Sequence, residues 1–306
     1  MTPAAAPSMP MPSGPDFHCA APLPITRAPA FAAPPGACDA HAHVIGLPPA
    51  HPFVAARSYT PPEATPAAYL ANLAGLGMAR GVLVTVSVHG DNNRLMAETV
   101  AAHRGRLAGV AVVRPEVSDR TLDVLAEAGV RALRLNMLFG GGTGMEAMAA
   151  LAPRCAARGW HLELLLDGLM LPAMERQLAA LPLPVVIDHM GHLPPLGTAR
   201  DAERAAAIAV MERLLATGRC WVKLSGAYRS SRGGPPWADT VALARRLHAA
   251  GPDRCVWGSD WPHVAQSVMT FTPGDTLDWL GAVLPQAGAR NRVLTDNPAR
   301  LYGFAR

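Results

Sequence analysis

The feature that most constrains the fold is a regular alternation of short apolar runs with Ala-rich segments that contain scattered arginines. This alternation starts near Ala37. The apolar runs predict strands near 38–44, 81–87, 108–113, 131–136, 161–166, 184–188, 220–225 and 255–259. The segments between them predict helices near 66–78, 92–103, 119–128, 145–158, 170–180, 201–217, 237–250 and 275–284. Because parallel strands need such crossovers, eight repeats in about 250 residues predict an α/β fold, a (β/α)8 TIM barrel, with an open doubly wound sheet as the alternative.

The chain divides into a tail and one large domain. Residues 1–36 are dominated by Pro, Ala and Ser, a composition that favours extended or disordered backbone. We therefore interpret 1–36 as a Pro/Ala-rich N-terminal tail and 37–306 as the barrel.

Composition excludes several classes of protein. The net charge is +4 without a basic run, so neither nucleic acid nor a membrane is an expected partner. No apolar run is long enough to span a membrane, and the N-terminus lacks the regions of a signal peptide. The five cysteines contain no CxxC pair, which favours the reducing cytoplasm over a disulfide framework or a zinc knuckle.

The predicted strand ends are unusually rich in polar side chains. In a TIM barrel the working residues lie at the C-terminal ends of the strands. Those ends carry His41, His43, His89, Arg134, Asn136, Asp167, His189, Lys223, Ser225 and Asp260. His41 and His43 are two apart on one strand and should share a face, and Asp260 follows the last apolar run just before a Trp-Pro turn. Lys223 is the only lysine in the chain.

Several motifs in order resemble the amidohydrolase superfamily, and within it the 2-pyrone-4,6-dicarboxylate lactonase group. They are GACDAHAHV at 36–44, HGDNN at 89–93, GVAVV at 109–113, RALRLN at 131–136, VIDHMG at 186–191, GPPW at 234–237, WGSDWPH at 257–263 and NPARLY at 297–302. Each motif is weak alone, but their order and spacing together are specific. The resemblance implies a barrel of the amidohydrolase type that acts as a lactone hydrolase, a carboxylic ester hydrolase.

The resemblance also implies roles for individual residues. Asp260 would be the general base that activates water, and His41, His43 and His189 would polarise the lactone carbonyl or hold a metal. Arg134 and Arg229 would bind a substrate carboxylate. Chemistry agrees, since a carboxylate can take a proton from water, imidazoles can hydrogen-bond to an oxyanion, and an arginine fork fits a carboxylate. Further candidates for substrate contact are His89, Asn136, Lys223, His192 and His263.

Two departures from the lactonase group bear on the substrate. A basic pair of that group is replaced by Phe139 and the glycines at 140–142, a flexible uncharged loop, and an arginine is replaced by His192. A dicarboxylate would be held less well, so we expect a carboxylated lactone with fewer anionic groups, derived from a sugar acid or an aromatic ring-cleavage product.

The sequence leaves the metal question open. A binuclear site is improbable, because strand four offers Arg134 and Asn136, and strand five ends at Asp167, in place of the bridging and histidine ligands of binuclear relatives. His41, His43, His189 and Asp260 would suit one zinc ion. Arg134 at the same mouth raises the positive potential, however, and favours an anionic substrate. We expect no cofactor, with one zinc as the alternative.

Other functions and other roles also remain open. On the same barrel, a mononuclear zinc amidohydrolase or decarboxylase and a lactone isomerase are alternatives, and a binding protein without catalysis is the least favoured. Arg134 could instead form a buried ion pair with Asp167 or Asp39, and Lys223 could pair with Asp260. The oligomeric state, including a homodimer, is not determined by the sequence.

Overall fold

The computed structural model describes residues 12–305 and contains one sheet of eight parallel strands. The strands neighbour one another in sequence order, with each consecutive pair from β1 to β8 hydrogen-bonded in parallel. They are β1 (Cys38–Ala42), β2 (Arg80–Val84), β3 (Leu107–Ala111), β4 (Val130–Asn136), β5 (His161–Leu165), β6 (Val185–Ile187), β7 (Cys220–Leu224) and β8 (Cys255–Trp257). The predicted (β/α)8 barrel is confirmed, with each predicted strand found at its expected place.

Helices connect the strands and cover the outside of the sheet. They are α1 (Pro66–Gly75), α2 (Arg94–Ala102), α3 (Asp119–Ala128), α4 (Met148–Ala156), α5 (Leu171–Ala180), α6 (Asp201–Ala216), α7 (Ala227–Ser230), α8 (Ala238–Ala250), α9 (Pro273–Val283), α10 (Ala287–Asn291) and α11 (Asn297–Tyr302). A π-helical turn, Arg292–Asp296, joins α10 to α11. The eight predicted helices are present, whereas the short α7, α10 and α11 are not among them.

The barrel closes between β1 and the residues that follow β8. The amide of Asp260 donates to the His41 carbonyl at 2.9 Å, and the amide of His43 donates to the Trp261 carbonyl at 2.8 Å. Gly258 permits this approach, because a methyl group there would lie 2.5 Å from His41 Cβ. Asp39 adds a side-chain link, since its carboxylate accepts the Ser259 amide at 2.8 Å and the Ser259 hydroxyl at 2.6 Å. These contacts fix the two strand ends that carry the histidine pair and Asp260.

The two faces of the sheet form separate apolar cores. The larger core lies between the strands and the surrounding helices. A smaller cluster fills the interior and includes Cys38, Ala40, Val82, Val110 and Val256. Tyr302 of α11 belongs to this inner cluster and donates its hydroxyl to Glu163 at 2.7 Å, so α11 anchors to the inside of the barrel.

The N-terminal segment lies against the barrel over residues 12–36. The Cys19 amide donates to the Thr60 carbonyl at 3.0 Å, and Arg27 forms an ion pair with Asp275 at 2.9 Å. Residues 1–11 of the predicted tail lie outside the described residues. Within the described chain, no helix is both long and apolar enough to cross a bilayer.

Candidate active site

Three histidines surround one carboxylate at the C-terminal mouth of the barrel. Asp260 Oδ1 lies 3.8 Å from His41 Nε2 and 3.9 Å from His43 Nε2, and Asp260 Oδ2 lies 3.7 Å from His189 Nε2. All four side chains are buried. The structure therefore brings together the four residues that the sequence singles out as catalytic candidates.

A strand irregularity and a left-handed turn position two of these groups. The register between β1 and β2 shifts between Asp39 and Ala42, which re-aims the side chains that follow. Ala40 therefore contributes to the inner core while His41 and His43 face Asp260. Asp260 itself has a φ of 63°, a conformation that non-glycine residues rarely adopt. Such strain persists where the surrounding contacts enforce it, and it is common at functional sites.

His189 follows β6 in a run of left-handed residues. The φ angles are 49° for His189, 53° for Met190, 77° for Gly191 and 50° for His192. Gly226 makes room for the imidazole, because a methyl group at Gly226 would lie 2.9 Å from His189 Cβ. This backbone turns His189 inward toward Asp260, and its Nδ1 lies 2.9 Å from Ser225 Oγ.

The two oxygens of Asp260 have different environments. Oδ2 accepts the Tyr228 hydroxyl at 2.6 Å and Arg229 Nε at 2.9 Å. Oδ1 is buried and has no hydrogen-bond partner within residues 12–305. Burial opposes ionisation of Asp260, but the adjacent Arg229 guanidinium outweighs it and holds the pKa of this carboxyl well below its usual range. Asp260 is therefore an ionised carboxylate in which Oδ2 is hydrogen-bonded and Oδ1 is available to accept a proton.

The histidines around Asp260 are neutral imidazoles. Burial, together with His41 and Arg134, lowers the pKa of His43 to about 3. Burial also lowers the pKa of His41 and of His189. His43 Nδ1 lies 2.8 Å from the Val84 carbonyl, which can only accept, so this nitrogen carries the proton and Nε2 presents a lone pair to Asp260.

Lys223 lies beneath the histidines, fully buried inside the barrel. Its ammonium group lies 2.6 Å from Glu163 Oε2, 2.9 Å from His41 Nδ1 and 3.3 Å from Asp188 Oδ1. The pairing of Lys223 with Asp260, which the sequence left open, is wrong, because the ammonium group instead meets Glu163, His41 and Asp188. Lys223, on β7, instead links this strand to β5 through Glu163 and to β1 through His41, beneath the histidines. Contact between Lys223 and a substrate stays a prediction.

Arg134 forms the buried ion pair that the sequence left open, but with a different partner. Its Nε and Nη2 both lie 3.0 Å from Asp188 Oδ2. The suggested partners Asp167 and Asp39 are therefore wrong. Asp167 is partly exposed and accepts the Leu169 amide, while Asp39 binds Ser259. Burial opposes ionisation of Asp188, yet the cations Lys223 and Arg134 hold its pKa well below the usual range.

Arg229 lies on α7, directly behind Asp260. Besides the bond to Asp260, its Nη2 donates to the Val264 carbonyl at 3.2 Å, and its guanidinium carbon lies 4.8 Å from the centre of the Tyr228 ring. Arg229 thus reaches the mouth of the barrel as predicted, but a buried carboxylate already engages it.

The four remaining candidates are distributed around the mouth. The buried Nε2 atoms of His89 and His192 and the buried Nδ2 of Asn136 have no hydrogen-bond partner within residues 12–305. The ring of His192 lies 5.8 Å from that of His189, whereas His89 packs on Phe53 at 5.4 Å. His263 is fully buried, 4.8 Å from Phe271, so it lies in an aromatic cluster behind Tyr228.

The glycine loop at 140–142 is packed, contrary to the flexible loop that the sequence suggested. The Gly140 amide donates to Ser58 Oγ at 2.7 Å. A methyl group at Gly140 would lie 2.1 Å from the Ala56 carbonyl oxygen, and one at Gly141 would lie 2.4 Å from the Ser87 carbonyl oxygen. The glycines therefore serve close packing of three loops at the mouth.

Sequence reasoning did not assign roles to Glu163, Asp188 or Tyr228. A signal exists for the first two, because a lone acid in the apolar run HLELL and an acid at the end of VVID would be buried and would need cations. The single lysine of the chain supplies one cation to both. Tyr228 carries no comparable signal.

Within residues 12–305, two groups of side chains have ligand atoms close enough to hold a metal ion. They are His41, Asp188 and His189, and His41, His43 and Asp260, with the ligand atoms of each group within 4.8 Å of one another. His41 belongs to both groups, so its tautomer determines whether either group can act as a complete ligand set.

Comparison with known proteins agrees with this geometry. The sequence model of the amidohydrolase family matches residues 38–304. A 2-pyrone-4,6-dicarboxylate hydrolase from Comamonas testosteroni is 36% identical over 286 residues, covering 90% of this chain and 92% of the relative. A 4-sulfomuconolactone hydrolase from Hydrogenophaga intermedia is 32% identical over 279 residues, covering 89% and 90%.

Solved structures share the same architecture. An apo crystal structure from Agrobacterium tumefaciens superimposes with a TM-score of 0.79 at 28% identity, covering 91% of this chain and 99% of that one. The similarity therefore extends over the whole barrel and is not restricted to the site.

Proposed function

Because the chain belongs to the amidohydrolase family, we propose that it is a lactone hydrolase that opens a carboxylated lactone ring by adding water, with Asp260 as the general base. The observation that carries this proposal is the asymmetry of Asp260. One oxygen of the ionised carboxylate accepts hydrogen bonds from Tyr228 and Arg229. The other is buried, has no hydrogen-bond partner within the described chain, and lies near the neutral imidazoles of His41 and His43. That arrangement suits removal of a proton from water better than structural pairing.

Two acceptors are aimed at the attacking water. Asp260 Oδ1 and the lone pair of His43 Nε2 lie 3.9 Å apart, so one water molecule can donate a hydrogen bond to each. Asp260 takes the proton as the water oxygen attacks the lactone carbonyl. His43 orients the water, a different task from the oxyanion contact that the family resemblance suggested for it.

The developing oxyanion requires hydrogen-bond donors. His41 is a donor to the site, because its Nδ1 faces the ammonium group of Lys223 and its proton therefore lies on Nε2. His189 Nε2 can add a second donor when Ser225 donates to its Nδ1. Donors of this kind stabilise negative charge strongly in a buried site. Asp260 then returns its proton to the ring oxygen as the ester bond breaks.

Arg229 links substrate binding to the strength of the base. A carboxylate with a pKa held this low is a weak base, which is unfavourable for proton abstraction. A substrate carboxylate that binds Arg229 would share the guanidinium with Asp260 and so raise the basicity of Asp260. Carboxylated lactones would then promote their own hydrolysis, while a lactone without a carboxylate would leave Asp260 a poor base.

The outer mouth favours a substrate with few negative charges. Burial, together with the nearby Arg229, lowers the pKa of His192 to about 3, so His192 offers a neutral ring where the lactonase group has an arginine. The glycines at 140–142 carry no charge. We propose one carboxylate near Arg229, with the hydroxyls of a sugar-acid lactone or one further polar group near His192.

Catalysis without a bound metal is part of the proposal, because the lone pairs and donors described above are sufficient for each proton transfer.

The reducing cytoplasm remains a prediction from the sequence, and all five cysteines are free thiols. No observation favours a binding protein over an enzyme.

Turnover of a panel of lactones tests the proposal. Sugar-acid lactones and pyrone carboxylates, each paired with its decarboxylated analogue, would be incubated with chelator-treated enzyme in H₂¹⁸O. We expect ring opening of monocarboxylates with a mass gain of one labelled water. A product without added water would select the isomerase, loss of carbon dioxide the decarboxylase, and activity restored only by zinc the metal-dependent hydrolase.

A further inference from the structure

We propose that Lys223 is a positioning residue that fixes the tautomer of His41 and thereby makes the histidine cluster a hydrogen-bonding site instead of a metal site. The inference deepens the proposed hydrolase function and rests on it for the catalytic meaning of His41. The position of the His41 proton, by contrast, is inferred from the contacts of Lys223 and His41 alone.

The ammonium group of Lys223 makes two hydrogen bonds and one further ion-pair contact. It donates to Glu163 Oε2 at 2.6 Å and to His41 Nδ1 at 2.9 Å, and it lies 3.3 Å from Asp188 Oδ1. An ammonium group only donates, so the nitrogen of His41 that faces it must be the unprotonated one. The proton of the neutral ring therefore lies on Nε2, the nitrogen that points to Asp260.

A protonated Nε2 cannot ligate a metal, because a metal ligand needs the lone pair at that position. His43 has the opposite tautomer, with its proton on Nδ1 and a lone pair on Nε2. The two histidines of one motif therefore differ, one being a donor and the other an acceptor. A metal held by His41, His43 and Asp260 would require both Nε2 atoms as lone pairs, so this set does not fit a metal while Lys223 is in place.

Charge balance points the same way. The buried carboxylates Glu163, Asp188 and Asp260 are paired with Lys223, Arg134 and Arg229. A divalent cation would add two uncompensated positive charges to a group that is already balanced. Burying unpaired charge is costly, which disfavours metal entry even where a lone pair is available.

Removing Lys223 should convert the histidine cluster from a hydrogen-bonding site into a metal site. His41 Nδ1 lies 3.5 Å from Asp188 Oδ1. Without the ammonium group, His41 can carry its proton on Nδ1 and donate to Asp188, the carboxylate–histidine arrangement that supports metal ligands. Nε2 of His41 would then present a lone pair beside that of His43.

The first test locates the proton in the native protein. Nitrogen-15 NMR of histidine-labelled protein, with His41 assigned by comparison with His41→Asn, distinguishes a protonated Nε2 from a protonated Nδ1. The expected result is a neutral His41 with its proton on Nε2. A proton on Nδ1 in the native protein overturns the proposal without any further variant.

The second test uses a charge-balanced double variant. Lys223→Met with Glu163→Gln removes one cation and one anion together, and the native protein, which has the same net charge and keeps Lys223, is the matched control. Zn²⁺ affinity is measured by competition with a chromogenic chelator. We expect the double variant to bind about one equivalent at least about tenfold more tightly than the control, with the His41 proton moved to Nδ1.

Two outcomes contradict the inference, and neither depends on lactone turnover. One is tight stoichiometric zinc in the control through His41 Nε2, and the other is an unchanged His41 tautomer in the folded double variant. If the native protein shows the Nε2 proton but opens no lactone, the proposed hydrolase function fails while the assignment of Lys223 stands.

Discussion

Acidification should destabilise this protein through histidines that it buries in neutral form. His43 and His263 are buried, and burial is the largest cause that lowers their pKa to about 3 and about 4. In the unfolded chain a histidine has a pKa of about 6.5. Below that pH the histidines bind protons in the unfolded state but not in the folded state. The free energy of unfolding therefore falls as the pH falls toward the folded-state pKa.

The magnitude follows from the same linkage. Between pH 8 and pH 5 each of the two histidines should lower the free energy of unfolding by about 2 kcal/mol. Asp39 acts in the opposite direction, because burial raises its pKa to about 6 and it takes up a proton in the folded state first. Its contribution on acidification is about 1 kcal/mol of added stability. The net loss from these three groups is about 3 kcal/mol. The other histidines with lowered pKa increase it, namely His41, His89, His161, His189, His192 and His248.

Urea unfolding at pH 8 and pH 5, followed by tryptophan fluorescence, measures this difference. In His263→Asn the pH-dependent loss should shrink by about 2 kcal/mol. Asparagine is chosen because it tolerates the φ of 63° at this position. His18→Asn, at an exposed histidine, is the control and should leave the loss unchanged. Equal stability at the two pH values, or an unchanged loss in His263→Asn, would refute the linkage argument.

Two further predictions concern the closure of the barrel and the base. Gly258→Ala should destabilise the fold by about 1–3 kcal/mol and reduce turnover, because the added methyl group would meet His41 Cβ at 2.5 Å, and unchanged urea midpoint and activity would contradict this. Arg229→Met should move the acid limb of the pH profile of kcat/KM to higher pH, since the cation that lowers the pKa of Asp260 is lost. If the acid limb does not move, Arg229 does not set the pKa of Asp260. Arg229→Lys is the matched control because it keeps the positive charge.

The sequence predicts the architecture well because periodicity and crossover length are local properties. Each of the eight strands has an apolar run of its own, and the helices between them have the length that parallel pairing requires. The short α7 and α10 escape prediction since four or five residues carry too little periodicity to recognise. The gathering of His41, His43, His189 and Asp260 follows once the barrel is known, because strand ends of a barrel converge.

The charge network beneath the site could not be predicted in the same way. Lys223 pairs with Glu163, 60 residues away in the chain, and nothing local distinguishes that partner from Asp260. Arg134 likewise meets Asp188 across 54 residues. The tautomers of His41 and His43 depend on these partners and on the shifted register of β1, so opposite roles for two histidines of one motif emerge only from the folded structure.

The most direct test of the account compares native protein with Asp260→Asn, both treated with chelator, on a carboxylated lactone that the native enzyme opens. Asparagine keeps the shape of the side chain and an acceptor for Tyr228 but cannot take a proton from water, so kcat should fall by about 10³-fold with circular dichroism unchanged. Retention of more than about a tenth of native kcat by a folded Asp260→Asn would show that another group removes the proton, and would contradict the central claim.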